Sequence, residues 1–388
     1  MASRPAIDVL TQAARPNARI RYRDLSVQDP ALKAKLMAAF ERILTSGQIL
    51  MGPEVERFEQ RVADYCGRRH CVGLSSGSNA IYLALKALGL SPGDEIITTP
   101  MSWIATLNTI HLAGATPVFV DVADDMNMDT GLIEDAITPR TKAILPVHFN
   151  GKLCDMAAIG SIAKRHGLAV IEDAAQSFGA RDAQGVPAGG FGDAAAFSLN
   201  PMKVLPGYGE AGAVVTDDPE VAERLRALRY LGTVDKEVCE VPALNDKIDE
   251  LQAALLLVGF DDLEANIDLR IGLARLYSQA FAGSLPCPPV AADGDRSHVF
   301  FDYKVLVERR DEIQQSLLER GIETKVKHPI LMPDQPAYRH LPRPEIPNAR
   351  RLVDRILSLP LHEKLTAEDV ETVVQALRDA LDAGGQRA

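Results

Sequence analysis

The sequence predicts an α/β protein: a mainly parallel seven-stranded sheet in a large domain, followed by a smaller C-terminal α/β domain. Three features predict it. Seven short apolar or β-branched runs precede Pro219, at 71–74, 95–99, 117–121, 142–147, 168–172, 193–199 and 211–216. Helical patterns lie between most of them, and continuous apolar strands divided by helices belong to a sheet covered on both faces. After Pro286, Pro288 and Pro289 a second, smaller α/β pattern begins. A chain of 388 residues is also too long for one ordinary core. The expected division is an N-terminal arm (1–25), a large domain (26–260) and a small C-terminal domain (261–388).

The elements follow in order. A helical period over 31–44 is stopped by Ser46-Gly47. Pro53 opens a helix over 54–65, with acids in its first turn where the helix dipole favours them. The run 71–74 leads into Ser75-Ser76-Gly77-Ser78 and a helix over 79–88. Such a strand–turn–helix can cradle an anion, because free N–H groups and hydroxyls converge at the helix N-terminus. Serine N-capping explains the same four residues equally well. Further helices are expected at 104–112, 130–136 and 156–166, and from Pro219 to about 231. A polar break over 232–246 precedes a long helical region, 247–281, with Leu251, Ala254, Leu255 and Val258 at helical spacing. The C-terminal pattern reads as strand 298–307, helix 311–320, short strand 324–327 and helices over 349–357 and 367–381.

Composition narrows the function. The formal net charge of −11 argues against nucleic acid, which needs a basic face. No apolar run reaches the roughly 18 residues that span a bilayer. Five scattered cysteines without metal-ligand spacing read as reduced thiols in a cytoplasmic protein, and no metal site is expected. Residues 1–23 hold five arginines and one acid, read as a flexible arm that packs on a partner subunit.

The chemistry gathers at strand ends. Ligands of such sheets sit at the carboxyl ends of the strands, and Ser76-Gly77-Ser78, Trp103, His148, Asp173 and Lys203 all follow strands. Lys203 lies in a Pro/Gly-broken loop between two core strands. An apolar surrounding lowers an amine's pKa and makes it a nucleophile near neutral pH. A lone loop lysine is ordinarily a solvated one; the residues expected beside Lys203 change that reading. Asp173 ends a buried run and needs a cationic partner. A protonated pyridine nitrogen supplies one, with Gln176 in reach of a neighbouring ring oxygen. Trp103, the only tryptophan, offers a flat ring for stacking, although a tryptophan is more often simply core. Ser198 can join the anion cradle. A lysine, an acid, a stacking face and a phosphate cup together describe a site for pyridoxal 5′-phosphate.

Longer stretches make the pattern specific: Gly52-Pro53-Glu54-Val55 with Phe58-Glu59, Ser76-Gly77-Ser78-Asn79-Ala80, Gly93-Asp94-Glu95-Ile96-Ile97, and Glu172-Asp173-Ala174-Ala175-Gln176-Ser177. To these add Phe197-Ser198 with Lys203, Gly209-Glu210-Ala211-Gly212, Asp249-Glu250-Leu251-Gln252-Ala253 and Leu357-Ser358-Leu359-Pro360-Leu361. Over about residues 20–380 the chain resembles the DegT/DnrJ/EryC1/StrS family of sugar aminotransferases. The resemblance implies fold type I, the aspartate aminotransferase-like architecture of pyridoxal-phosphate enzymes. It implies that Lys203 carries the cofactor as a Schiff base and shuttles the proton, and that Asp173 keeps the ring nitrogen protonated. Gln176 would contact the ring hydroxyl and Trp103 would stack on the ring. Gly77, Ser78 and Ser198 would bind the phosphate, joined by Asn245 from the partner subunit of a homodimer. The implied reaction moves an amino group from an amino acid, glutamate, to a nucleotide-linked keto sugar.

The chain departs from the family at three points. Gly209-Glu210-Ala211-Gly212 replaces a Gly-Glu-Gly-Gly, Lys247 stands where arginine is common, and Asn200 stands where histidine is frequent. His148 and His328 are candidates to face substrate, although a lone histidine is more often structural. Lys325, Lys327 and His328 form a basic cluster suited to a nucleotide diphosphate, or an ordinary lysine-bearing sheet edge. The alternatives are a cyclitol aminotransferase, a sugar dehydratase or a non-catalytic regulator of the same fold. Retention of Lys203 speaks against the dehydratase and the regulator. A nicotinamide-dependent dehydrogenase needs a Gly-x-Gly-x-x-Gly turn that Ser75-Ser76-Gly77-Ser78 does not provide.

Overall fold

In the computed structural model, which describes residues 18–235 and 237–383, each of the seven expected runs becomes a strand of one sheet. They are β1 (His70–Leu74), β2 (Glu95–Thr98), β3 (Thr116–Phe119), β4 (Thr141–Leu145), β5 (Ala169–Asp173), β6 (Ala194–Ser198) and β7 (Gly212–Thr216), in the order β1-β7-β6-β5-β4-β2-β3. β7 runs antiparallel to both its neighbours, and the β2–β6 pairings are parallel. Alternation along β6 shows why small apolar residues are needed here. Ala194 and Ala196 enter the core beneath one layer of helices, while Ala195 and Phe197 enter the core on the other face.

The first layer includes α3 (Gly77–Ala87) and α6 (Pro219–Leu228). The other face carries α2 (Pro53–Cys66), α7 (Glu250–Asp261) and α8 (Leu263–Phe281), whose apolar residues share one core with the C-terminal elements. α1 (Pro30–Ser46) packs on α7, α4 (Ala105–Leu112) sits beside α3 and β3, and α5 (Met156–His166) covers β4 and β5. A small hairpin, β8 (Thr233–Val234) with β9 (Val238–Cys239), interrupts the polar break. The C-terminal part pairs β10 (Tyr303–Leu306) with β11 (Ile356–Leu359), antiparallel, among α9 (Arg310–Glu319), α10 (Pro347–Val353) and α11 (Ala367–Ala383). Among the described residues no helix is long and apolar enough to cross a membrane.

Several expected elements differ. The region 130–136 is two 3₁₀ turns instead of a helix, because Asp129 caps a tight turn onto the Gly131 amide. The long region 247–281 breaks at Asp262 into α7 and α8, and the helix from Pro219 ends at Leu228. Periodicity over 349–357 hides a change of state: α10 ends at Val353, and Ile356–Leu359 is drawn into a strand by β10. That pairing is non-local, so local spacing could not reveal it. The strand expected at 298–307 starts only at Tyr303, after Phe300 turns with φ 50°. The strand at 324–327 shrinks to one bridge, Lys325 to Ser358. Most of the expected arm, residues 1–17, lies outside the described residues. Its end is pinned to its own chain: the Ile20 N–H donates to the Gly321 carbonyl at 3.0 Å, and Ile20 and Tyr22 are buried.

Candidate active site

The phosphate cup is built first from backbone. β1 ends at Leu74, and Ser76 caps α3 by accepting the Asn79 N–H at 3.2 Å. The N–H groups of Gly77 and Ser78 then belong to the first turn, where a helix has no acceptor of its own. Gly77 is required: a Cβ there would lie 2.8 Å from the Ser198 Cα and would collide with its side chain. Gly212 packs as closely on Ser76. Two side-chain-free approaches thus press Ser198, at the end of β6, against the head of α3. The structure brings Gly77, Ser78 and Ser198 together. Beside them the Ser75 N–H donates to the Asp246 carbonyl at 2.8 Å, and Asn79 bonds the Asp246 carboxylate. The neighbouring Asn245 is exposed and bridges Tyr230.

Asp173 closes β5 and is buried. Its carboxylate accepts the Thr106 hydroxyl at 2.7 Å and the Ala175 N–H at 3.2 Å. Thr106 is in turn 2.9 Å from the Ser102 hydroxyl. Burial raises the Asp173 pKa above the usual carboxylate value, against the opposing effect of these donors and of Lys203. Three residues on, Gln176 accepts the Asn150 N–H on its side-chain oxygen at 2.9 Å. That leaves its amide N–H groups to donate. The tight turn at Asn150 (φ 60°) and Gly151 (φ 90°) lies directly on Gln176, since a Cβ on Gly151 would come within 2.9 Å of its carbonyl.

Lys203 follows β6 in a turn closed by its own N–H on the Asn200 carbonyl, 2.9 Å. The side chain is half-buried, with Nζ 4.8 Å from the centroid of the Phe301 ring. Burial lowers its pKa to about 8; Asp173 and Asp302 oppose that, and Lys327 and Arg23 add to it. Roughly a tenth of such an amine is neutral at pH 7, far more than of an exposed lysine.

The remaining expected residues are placed differently from one another. Trp103 is 58% exposed, an unusual state for so large an apolar ring, and lies 5.1 Å from the His328 ring at 45°. Burial, with Lys304 and Lys327 nearby, lowers the His328 pKa to about 3, so its ring is neutral. Lys325 pairs its backbone with Ser358. His148 does not face an open cleft. It is fully buried, with Nδ1 accepting the Cys154 N–H at 3.2 Å and Nε2 donating to Glu172 at 2.9 Å. Glu172 also accepts the Gly189 and Phe191 N–H groups, both at 2.9 Å, so the pair holds the loop after β5.

Thr106 and Asn150 escaped the sequence reading, although Thr106 stands three residues past Trp103 in the same strand-to-helix connection. So did a buried cluster around Asp302. Its carboxylate meets Tyr22, Arg23 and Lys327 on one oxygen and Lys304 on the other. Asp302 and Lys304 stand two apart in an apolar run, the one sign of a buried ion pair available beforehand.

These residues fit pyridoxal 5′-phosphate. The cup closes only because Gly77 and Gly212 lack side chains, the buried carboxylate wants a cation, and the amine is partly neutral. Comparison with known proteins agrees. The chain is 40% identical to a "Pleiotropic regulatory protein" of Geobacillus stearothermophilus, covering 92% of this chain and 97% of that one. It is 41% identical to the dTDP-3-amino-3,4,6-trideoxy-alpha-D-glucose transaminase of Streptomyces venezuelae, covering 93% and 96%. Among solved structures, S. venezuelae DesV in complex with a ketimine intermediate superposes with a TM-score of 0.89 at 41% identity, over 94% of this chain and 98% of that one. The family model for DegT/DnrJ/EryC1/StrS aminotransferases matches residues 30–378. The chain belongs to the DegT/DnrJ/EryC1/StrS aminotransferase family, whose members are pyridoxal-phosphate-dependent enzymes of fold type I.

Proposed function

We propose that this enzyme transfers an amino group from glutamate to the ketone of a nucleotide-linked sugar. The observation that carries the reading is the pairing of a depressed amine, Lys203, with a buried carboxylate, Asp173, that has neutral hydrogen-bond donors and no salt-bridged cation among the described residues. The bound cofactor supplies an aldehyde that condenses with amines and a protonated ring that accepts electron pairs. Asp173 holds the proton at the ring nitrogen and is itself oriented by Thr106 and Ala175. Gln176 would donate to the ring oxygen, and Trp103 would cover a ring face. Gly77, Ser78 and Ser198 bind the phosphate. Lys203 Nζ moves the proton at the reacting carbon in both half-reactions.

The working unit in this reading is a cytoplasmic homodimer in which Asn245 completes the cup of the neighbouring subunit; its exposure beside its own cup supports this. The arm (1–25), large domain (26–260) and small domain (261–388) are the proposed division of the chain. Lys325 and His328 border the sugar nucleotide, whereas His148 braces the sheet end through Glu172. A purely regulatory role, as one relative's name suggests, gives no reason for the Lys203 and Asp173 environments.

The test is a single half-reaction. Purified protein loaded with cofactor and given glutamate should release one 2-oxoglutarate per site and lose its visible band. Borohydride before glutamate should fix the cofactor on the peptide containing Lys203. Labelling elsewhere, or no 2-oxo acid released from any amino acid donor, overturns the reading.

A further inference from the structure

The Asp302 cluster carries more cation than its carboxylate can balance. Lys304 is fully enclosed; it donates to the Lys327 carbonyl (2.9 Å) and the Ser358 hydroxyl (2.9 Å) and pairs with Asp302 at 3.6 Å. Arg23 donates to the Leu361 carbonyl at 3.0 Å, to the Phe301 carbonyl and to Asp302 at 3.4 Å, while its buried Nε meets no acceptor among the described residues. Lys327 is different. It meets the same Asp302 oxygen only at 3.4 Å, and its side chain remains 22% exposed. An ammonium has three N–H groups, so Lys327 can serve a ligand without leaving Asp302.

Its position bears on what that ligand is. The amines of Lys327 and Lys203 each stand 4.8 Å from the centroid of one ring, Phe301. The two amines therefore lie no more than twice that distance apart, and the Lys327 charge acts on Lys203. A carboxylate attached at or beside the carbon that reacts at Lys203 falls within that span. The crowding of cations also depresses the Lys327 and Lys203 amines after burial has done so, and a bound anion relieves both.

We propose that Lys327, held by Asp302 among Arg23 and Lys304, recognises a substrate carboxylate. This rests on the aminotransferase reading and adds a specificity-determining residue to it. The carboxylate has two sources: the donor acid, or an acidic group on the sugar.

The holoenzyme can be titrated with glutarate, a non-reacting dicarboxylate shaped like the donor, and with UDP-glucuronate set against UDP-glucose. Fluorescence of Trp103, the only tryptophan, reports occupancy. Lys327→Met should weaken glutarate, UDP-glucuronate or both by at least about tenfold, and Lys327→Arg should recover most of the loss. Loss for glutarate alone assigns the carboxylate to the donor, and loss for UDP-glucuronate alone assigns it to the sugar. UDP-glucose affinity should move less than about threefold, since it offers no carboxylate. Retained cofactor absorbance shows that each variant is folded. The proposal is overturned if the wild type binds neither anion, if both bind Lys327→Met as tightly as wild type, or if UDP-glucose weakens in step. Failure of the aminotransferase reading looks different: no donor discharges the cofactor, whatever the titrations show.

Discussion

Two carboxylates sit buried at strand ends near the same amine, and they live in opposite electrostatic worlds. Asp173 is met by neutral donors, the Thr106 hydroxyl and the Ala175 N–H, and burial drives its pKa up. Asp302 is just as buried, yet Lys327, Lys304 and Arg23, with the Tyr22 hydroxyl, hold its pKa far below the usual carboxylate range. A buried charge is tolerated when it is paired and strongly penalised when it is not. Asp302 is thus complete within the chain and even over-supplied, whereas Asp173 has only neutral donors in direct contact among the described residues and feels Lys203 and His148 from further off. Perturbation of that second kind marks a functional group, and the first kind marks a structural one.

The comparison is tested most severely at the amine that lies between the two. Lys203→Ala should lower turnover by about four orders of magnitude or more, because both cofactor attachment and the proton shuttle are lost. The phosphate cup is untouched, so the variant should still bind cofactor, without a borohydride-fixed adduct. Retained turnover within tenfold of wild type would place the chemistry elsewhere. Asp173→Asn keeps the shape but cannot hold a proton at the ring nitrogen. A loss of at least about a hundredfold in kcat is expected, with cofactor affinity changed much less. Equal activity would make Asp173 a strand cap.

Stability separates the pair by sign. The Asp302 pKa is depressed in the fold, so its stabilising contribution is fully present above the unfolded carboxylate value near 4 and is lost as pH falls towards the folded value. Asp302→Asn strands three cations and should cost about 3 kcal/mol at pH 7, with the deficit shrinking below pH 4. Asp173 is the reverse: its pKa is raised, so the ionised form costs stability at high pH. Cofactor-free Asp173→Asn should therefore be at least as stable as wild type at pH 8. Urea unfolding of both cofactor-free variants at pH 3, 7 and 8 checks this, and equal destabilisation by the two substitutions at pH 8 would erase the distinction.

The two regions also differ in how far they can be read from sequence. Asp173, Gln176, Lys203 and the Ser76–Ser78 turn each close or follow a run of strand-like residues, and parallel α/β topology sends such ends to one edge. Their convergence follows once the seven runs are recognised. The Asp302 cluster draws on Tyr22, Arg23, Lys304, Lys327 and Ser358, joined by the β10–β11 pairing and by the bridge of Ile20 to Ile322. No local period announces either contact, and the helix expected over 349–357 hides half of the first. His148 shows the same limit inside the readable region. Its place at a strand end was legible, but the side of the strand it faces depended on Glu172 and the Cys154 amide.

The smallest expected effect concerns Thr106, which no motif announced. Its hydroxyl is the shorter of the two hydrogen bonds to Asp173 and stabilises the ionised carboxylate. Thr106→Val keeps the branched shape and removes that donor, together with the partner of the Ser102 hydroxyl. The Asp173 pKa must then rise further, since a contribution that lowered it is gone. The acid limb of the kcat profile should move to higher pH, with a loss of up to about tenfold at its acid end that recovers as pH rises. Ser102→Ala, one hydroxyl further from the carboxylate, should shift the same limb in the same direction by less. A pH-independent loss in Thr106→Val would mean that the threonine acts through packing. An unshifted profile at full rate would mean that the Ala175 N–H alone is enough to hold Asp173.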